Sequence, residues 1–349
     1  MRLFYIFDRF KHHSSYSGYD IVTKFIPVDS LHYNKGRIFN LLKKTINKKL
    51  LERIPEIGLD WYKEDSFISE ISLFSRISLY TNMVFHFLYG ENSFRFSGYN
   101  PIKRNNKILI SFHQPPDIFK TVFINKKYFK RIDGILTVGT KQIEFFRNFI
   151  GKDRVFYAPH GVDSEFFTPA NKKKINKEYF ECISVGWWQR DIDMLVSVID
   201  VINKEKKFKV IFNIITFDCF FKHFYHLKNI RLFTNLSDGE LLISYQNADI
   251  LLLPLKDCTT NNAVLEAMAC GLPIISTDVG SLTDYVDNSC AILSRRGDVN
   301  GMVEEIYGLF SDEAKRNHMS WNSRKKAEGL DFKKVAPLYS EVYKKIYGF

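Results

Sequence analysis

The sequence predicts an α/β protein built from two doubly wound parallel sheets, and three observations lead there. First, 349 residues and 41.0 kDa exceed what a single hydrophobic core organises, so two domains are expected. Second, short and almost wholly apolar runs alternate with helix-like stretches through the second half, the pattern of parallel strands covered on both faces by crossover helices. Third, hydrophobic residues make up 45% and charged residues 26%, with 18 Gly and 10 Pro, which excludes collagen-like, coiled-coil and disordered chains.

The elements follow in order. Leu3 to Phe7 is an apolar and aromatic strand. Lys35 to Arg53 places Ile38, Leu42, Ile46 and Leu50 on one helical face with Lys43, Lys44, Lys48 and Lys49 around it. This is either a helix lying on a membrane surface or an ordinary amphipathic helix packed on a sheet. Strands at Ile108 to Phe112, Gly134 to Val138 and Val155 to Ala158, with helices between, make a doubly wound sheet the simplest fit for this half. The polar run Pro169 to Glu178 reads as a linker. Beyond it, strands are expected at Phe180 to Val185, Lys209 to Thr216, Ile230 to Thr234, Ile250 to Leu255, Pro273 to Thr277 and Ala291 to Leu293. Helices are expected at 191–204, 237–247, 261–270, 281–287 and 298–310. Ser237 and Glu240 form a capping box that starts one of them, and Gly271 with Pro273 ends another.

Charge is divided unequally. Residues 1–160 hold 26 Lys and Arg against 14 Asp and Glu, a balance of +12, whereas the remainder holds 24 against 25. The first half is therefore expected to meet something anionic, such as a membrane surface or a charged acceptor. No nucleic-acid-binding module accompanies the charge, so nucleic acid is not an expected partner. The five cysteines form no CxxC pair, which argues against a disulfide framework or zinc cage and favours a reducing, cytoplasmic compartment. The apolar run before Asp8 is too short for a secretory leader, and Ile71 to Tyr89 is broken by Arg76, Asn82 and His86 and does not read as a membrane span.

Chemistry concentrates in residues 251–275, LLLPLKDCTTNNAVLEAMACGLPII, a strand, a loop and a helix. In open parallel sheets ligands bind beyond the carboxyl ends of strands, where helix N-termini direct partial positive charge at anions. The helix is apolar except for Glu266, and a lone carboxylate in an apolar helix needs donors. Sugar or ribose hydroxyls would supply them while the amides of Asn261, Asn262 and Ala263 receive phosphate; the alternative is a Glu paired with a buried Arg or a backbone amide.

LEAMACGLPII (265–275) and TDVGSLTDYV (277–286) resemble the donor-binding domain of the retaining GT-B glycosyltransferases of glycosyltransferase family 4. APHGVDSEFFTP (158–169), VGWWQRDIDML (185–195), FHQPPD (112–117), TVGTKQIEFF (137–146) and SSYSGYD (14–20) are similar to further family segments, in family order. The resemblance implies the GT-B fold, two Rossmann-like domains facing across a cleft. An acceptor-binding domain would span 1–165, a nucleotide-sugar-binding domain 175–331, and a helix at about 332–349 would return to the first. It further implies transfer of a hexose from a nucleotide-sugar co-substrate to an acceptor hydroxyl with retention of configuration, in cell-surface glycan or glycolipid synthesis, without a metal or other cofactor.

Residue by residue, the resemblance puts Glu266 on the nucleotide ribose, Gly18 and Gly186 in loops near donor phosphate, and Thr260, Asn261 and Asn262 about the sugar and phosphates. His113 falls near the donor sugar and acceptor. Two positions depart from the family. The first of its two glutamates falls on Cys258, next to Asp257, which can substitute with a register shift. Its Arg after the glycine is Trp187, which leaves Arg190, near the place of the family's Lys, to grip the diphosphate. The alternative for Arg190 is a solvated side chain at a helix start, and for His113 a loop cap. Asp191 and Asp193 spell DxD but open a helix, where acidic residues complement the dipole. His223 and His226 lack a third ligand.

The expected partners are a nucleotide-sugar donor, a glycan or lipid-linked acceptor, and an anionic membrane surface at the inner face of the plasma membrane. The alternatives are a noncatalytic nucleotide-sugar-binding relative, a nucleotide-sugar epimerase of the same fold, and a phosphorylase.

Overall fold

The computed structural model describes residues 2–9, 13–54, 61–99, 104–123, 126–171 and 179–348. The chain divides into two compact units: residues 1–11, 19–160 and 335–349 form the first, and residues 12–18 and 161–334 the second. The change of unit falls at Gly161, ahead of the expected linker, whose residues 172–178 lie outside the described residues.

The first unit runs β1 (Arg2–Ile6), β2 (Ser30–His32), α1 (Arg37–Thr45), α2 (Lys48–Leu51), α3 (Glu64–Leu79), β3 (Met83–Phe87), α4 (Gly90–Ser93), β4 (Lys107–Phe112), α5 (Pro116–Val122), β5 (Gly134–Thr137), α6 (Lys141–Ile150) and β6 (Val155–Tyr157). The strands pair in parallel in the order β2-β1-β3-β4-β5-β6, so the winding reverses between β1 and β3. Strand β3 was not expected. The apolar stretch Ile71 to Tyr89 divides into the end of α3, a turn with Asn82 at φ 57°, and β3 itself. His86 fits this buried strand because Tyr343 OH and Ser111 Oγ lie 2.7 and 2.8 Å from its two ring nitrogens. Burial pushes its pKa down to about 3, which keeps the imidazole neutral.

The Lys35 to Arg53 expectation is corrected in two respects. The helix breaks at Ile46, whose backbone is extended, and the residue it buries is Phe39. The bulkier aromatic ring takes the core position with Lys35 and Lys43 over it, which turns Ile38 and Leu41 outward at 49% and 63% exposure. The side chains of Lys48 and Leu50 lie outside the described residues.

The second unit runs β7 (Phe180–Val185), α7 (Ile192–Glu205), β8 (Val210–Ile215), β9 (Ile230–Phe233), α8 (Asp238–Asn247), β10 (Ile250–Leu253), α9 (Asn262–Ala269), β11 (Ile274–Thr277), β12 (Ala291–Ser294), α10 (Val299–Ser311) and α11 (Glu313–Gly329). Its parallel order β12-β11-β10-β7-β8-β9 places the reversal between β7 and β10. The expected helix at 281–287 is only a short turn over Leu282–Asp284. The last helix, α12 (Phe332–Tyr347), begins among residues of the second unit and from Val335 belongs to the first, where Tyr343 meets His86.

One buried carboxylate organises the chain between β3 and β4. Glu70 of α3 accepts from the backbone N–H groups of Arg95, Phe96 and Ser97 at 2.9, 3.1 and 2.8 Å and from the Tyr62 hydroxyl. The Arg95 guanidinium, fully buried, donates to the carbonyls of Gly90, Glu91 and Phe94 and lies 3.8 Å from the centre of the Phe123 ring. Together they fix α4, the short helix after β3. Glu70→Ala leaves two buried amides and one half-buried amide without an acceptor and should lower stability by about 3 kcal/mol or more in urea unfolding. A loss under about 1 kcal/mol contradicts this role.

Candidate functional site

In the second unit, the loops after β7 and β10 meet at the winding reversal, the position where open parallel sheets bind ligands. Gly186 ends β7 at φ 92°, a left-handed backbone that disfavours any side chain, and the Arg190 guanidinium lies directly over it: a Cβ there would stand 2.7 Å from Arg190 Nη2. Arg190 donates to the carbonyls of Val185 and Trp188, each at 2.9 Å, and to Asn261 Oδ1 at 3.2 Å. These bonds use three of its five N–H donors and hold the cation between the two loops. It is not a solvated side chain at a helix start.

Asn261 caps α9, its Oδ1 also accepting from Val264 N at 3.4 Å. Asn262 is the first residue of that helix, and Thr260 precedes the cap. The Thr260 hydroxyl is buried with no hydrogen-bond partner among the described residues. Asp257 turns back to accept from Cys258 N at 2.7 Å. Gly280 packs so closely on this loop that a Cβ would stand 1.7 Å from the Cys258 carbonyl oxygen. Burial pushes the Cys258 thiol up to about 12, so it is neutral across the physiological range and replaces a carboxylate with an uncharged group.

One turn into α9 stands Glu266, 4% exposed. Among the described residues no cation forms an ion pair with its carboxylate. Oε1 accepts from the Ser17 hydroxyl and Oε2 from the Tyr245 hydroxyl at 2.8 Å. The donors this carboxylate was expected to find in a sugar, a ribose, an Arg or a backbone amide are here hydroxyls of the protein itself. Residues 13–18 reach this place as part of the second unit. Ser15 N donates to Asp238, Asp163 N donates to the Tyr16 carbonyl, and the Tyr16 ring stacks on Phe166 with centroids 3.5 Å apart. Gly18 ends the segment and is buried. Gly18, Gly186, Arg190, Asp257, Thr260, Asn261, Asn262 and Glu266 thus all belong to one unit.

His113 belongs to the other unit and follows β4. It is buried, its ring stacked on Tyr19 at 3.6 Å between centroids, and its Nδ1 lies 3.6 Å from Glu91 Oε2 without a hydrogen bond. Glu91 Oε1 accepts from the backbone N–H of His113 and from that of Gln114 at 2.9 Å. His113 therefore sits in a loop held by a carboxylate rather than capping it. Sequence reasoning missed Glu91, Ser17 and Tyr245. Glu91 follows the unexpected β3, and Ser17 and Tyr245 reach Glu266 from distant parts of the chain. At Trp187, the position where the resembled family carries an Arg, the indole packs with Phe217 and Phe220 at 5.7 and 5.9 Å between centroids. Asp191 caps α7 by accepting from Met194 N at 3.1 Å.

Residues 181–312 match the family described as glycosyl transferases group 1. The chain is 23% identical to D-inositol 3-phosphate glycosyltransferase of Paenarthrobacter aurescens over 222 residues, 55% of this chain and 52% of that protein. It spans about half the length of such curated relatives. Among solved structures, sucrose-phosphate synthase of Thermosynechococcus elongatus superposes over 99% of both chains at 14% identity with a TM-score of 0.72. Anabaena HepE in complex with UDP and glucose superposes over 99% of both chains at 10% identity with a TM-score of 0.70. The chain shares the fold of these GT-B structures.

Burial raises the Glu266 carboxyl above its ordinary value, the Ser17 and Tyr245 bonds opposing it. The folded state therefore holds this proton longer than the unfolded chain, and stability falls as pH rises through that window. Glu266→Gln cannot ionise and should lose less melting temperature than the wild type between about pH 5 and about pH 8. Equal losses in thermal melts contradict the assignment.

Proposed function

We propose that this protein, whose residues 181–312 match the family described as glycosyl transferases group 1 and whose chain shares the GT-B fold, is a retaining hexosyltransferase that moves a sugar from a nucleotide donor to an acceptor hydroxyl. The observation that carries this reading is the Arg190–Asn261 bond at the reversal between β7 and β10, one helical turn from Glu266. It fixes a cation beside a helix N-terminus, a combination suited to a diphosphate. Transfer forms the bond between the acceptor oxygen and the anomeric carbon and breaks the bond from that carbon to the phosphate oxygen. Charge accumulates on the leaving diphosphate, and Arg190 with the amides at the start of α9 stabilises it there. Front-face attack, in which the leaving phosphate takes the acceptor proton, retains the configuration and needs no protein nucleophile. Glu266 accepts from the ribose hydroxyls, Thr260, Asn261 and Asn262 line the sugar and phosphates, and Asp257 shapes the loop over them. His113, held by Glu91, donates to a sugar oxygen on the acceptor side.

The neutral Cys258 thiol and the indole at Trp187 support a second reading, nucleotide-sugar binding without turnover. Hydrolysis or transfer measured with the nucleotide sugar that most stabilises the protein separates the two.

Arg190→Ala should weaken binding of the matching nucleoside diphosphate by about tenfold to a hundredfold in calorimetric titration, the cost of one or two charge-assisted hydrogen bonds. An affinity within about twofold of the wild type would remove Arg190 from the site.

The acceptor is lipid-linked and reached at an anionic cytoplasmic membrane surface through α1, whose outer face combines exposed Ile38 and Leu41 with exposed Arg37 and Lys44. No helix among the described residues is long and apolar enough to cross a membrane. The protein should float with vesicles containing anionic lipid and be released by salt, and Arg37→Glu with Lys44→Glu should reduce flotation. Flotation that ignores salt and both substitutions contradicts this surface.

A further inference from the structure

Both oxygens of the Glu266 carboxylate accept from hydroxyls of this chain, and the two donors are held very differently. Tyr245 belongs to α8 and is fully buried in the core of the second unit. It can leave Glu266 only if that core unpacks. Ser17 comes from residues 13–18, a run of turns and bends without helix or strand that belongs to the same unit. Ser15 N donates to the exposed Asp238 carboxylate at 3.1 Å, the Tyr16 ring stacks on half-buried Phe166, and the Tyr16 carbonyl accepts from Asp163 N at 3.0 Å. Releasing Ser17 requires a surface segment to move, while the core stays intact.

That difference decides how a ligand reaches the carboxylate. Glu266 is 4% exposed, so an incoming hydroxyl finds its oxygens covered until one of the two donors departs. The Ser17 hydroxyl gives Oε1 what a ring hydroxyl of a ribose would give it, a single O–H donor on a saturated carbon. Replacing one by the other keeps the number and kind of hydrogen bonds on the carboxylate. A ligand that lacks the hydroxyl would leave Oε1 without a donor, and Ser17 then stays. Because Ser17 is tethered to the same molecule, it competes at the high effective concentration of an intramolecular group.

We propose that Ser17 is an internal competitor of the nucleotide ribose: its hydroxyl holds Glu266 Oε1 until a ribose hydroxyl takes that place, and residues 13–18 then withdraw from the carboxylate. Tyr245 is the positioning residue that keeps Glu266 aimed in both arrangements. The inference rests on the reading above, in which Glu266 accepts from ribose, and it adds a consequence for the reaction. Return of Ser17 to Glu266 weakens the hold on the nucleoside diphosphate and so helps to expel it after sugar transfer.

The test is calorimetric titration of the full chain at about pH 8, where the carboxylate is ionised, with UDP, GDP and ADP and then the 2′,3′-dideoxy form of the tightest binder. Ser17→Ala should bind the ribonucleotide about threefold to tenfold more tightly than the wild type, and the dideoxy form within about twofold of it. Tyr245→Phe deletes the same kind of bond from the other oxygen and should weaken the ribonucleotide about threefold or more. Two hydroxyls with merely structural roles would not give opposite signs, and dideoxy binding reports that both variants are folded. In hydrogen exchange of the wild type, the peptide covering residues 13–18 should exchange faster with the ribonucleotide and be unchanged with the dideoxy form. The proposal is overturned if Ser17→Ala binds the ribonucleotide no more tightly than the wild type, or if the ribonucleotide slows exchange of residues 13–18. When binding depends on the ribose hydroxyls but ignores Ser17→Ala, the competitor is removed and the reading above stands. If none of the nucleotides binds, or if ribose and dideoxy forms bind equally to both the wild type and Ser17→Ala, the ribose contact of Glu266 falls, and this proposal with it.

Discussion

The Glu266 carboxylate is the constraint on which the second unit's site depends. Burying an ionisable group in an apolar helix is unfavourable unless each oxygen is given a donor. The protein meets that condition with two hydroxyls, Ser17 and Tyr245, rather than with a cation. Ser17 stands 249 positions away in sequence, so satisfying one carboxylate ties the segment after β1 to the helix that follows β10. A cation in the same place would have neutralised the group; hydroxyls leave it charged when ionised and with acceptor capacity beyond the two bonds it makes.

Arg190 carries the complementary problem. A guanidinium beside a helix N-terminus is electrostatically disfavoured unless an anion joins them or carbonyl oxygens surround it. Val185, Trp188 and Asn261 supply those oxygens, and Gly186 is the residue that lets the planar group lie on the backbone. The result is a fixed cation at the winding reversal. Electrostatic preorganisation of this kind is what a departing diphosphate requires, since a cation already in place needs no reorganisation as charge develops.

Much of this was legible in the sequence, for identifiable reasons. Strands β7 to β12 are short, mostly apolar runs broken only at single positions such as Glu181, Asn213 and Arg231, and α8 opens with a complete capping box, Ser237 with Glu240. Glu266 declared itself by being the one charge in α9. What was not legible depended on distant partners. Strand β3 was hidden because His86 breaks its apolar run, and only Tyr343 and Ser111 make that histidine acceptable inside a sheet. The buried face of α1 was misassigned because helical periodicity counts Phe39 and Leu42 alike, whereas the core took the aromatic ring. Glu91 carries no local signal at all; its role follows from the return of the chain at His113.

Hydrogen exchange of the full chain, read peptide by peptide with and without the nucleoside diphosphate that stabilises it most, tests the central claim most directly. The account predicts slowed exchange in the loop bearing Gly186 and Arg190 and in the segment from Cys258 to Val264, the two loops that Arg190 joins. Unchanged exchange in both segments under saturating nucleotide, or slowing confined to the first unit, would contradict it.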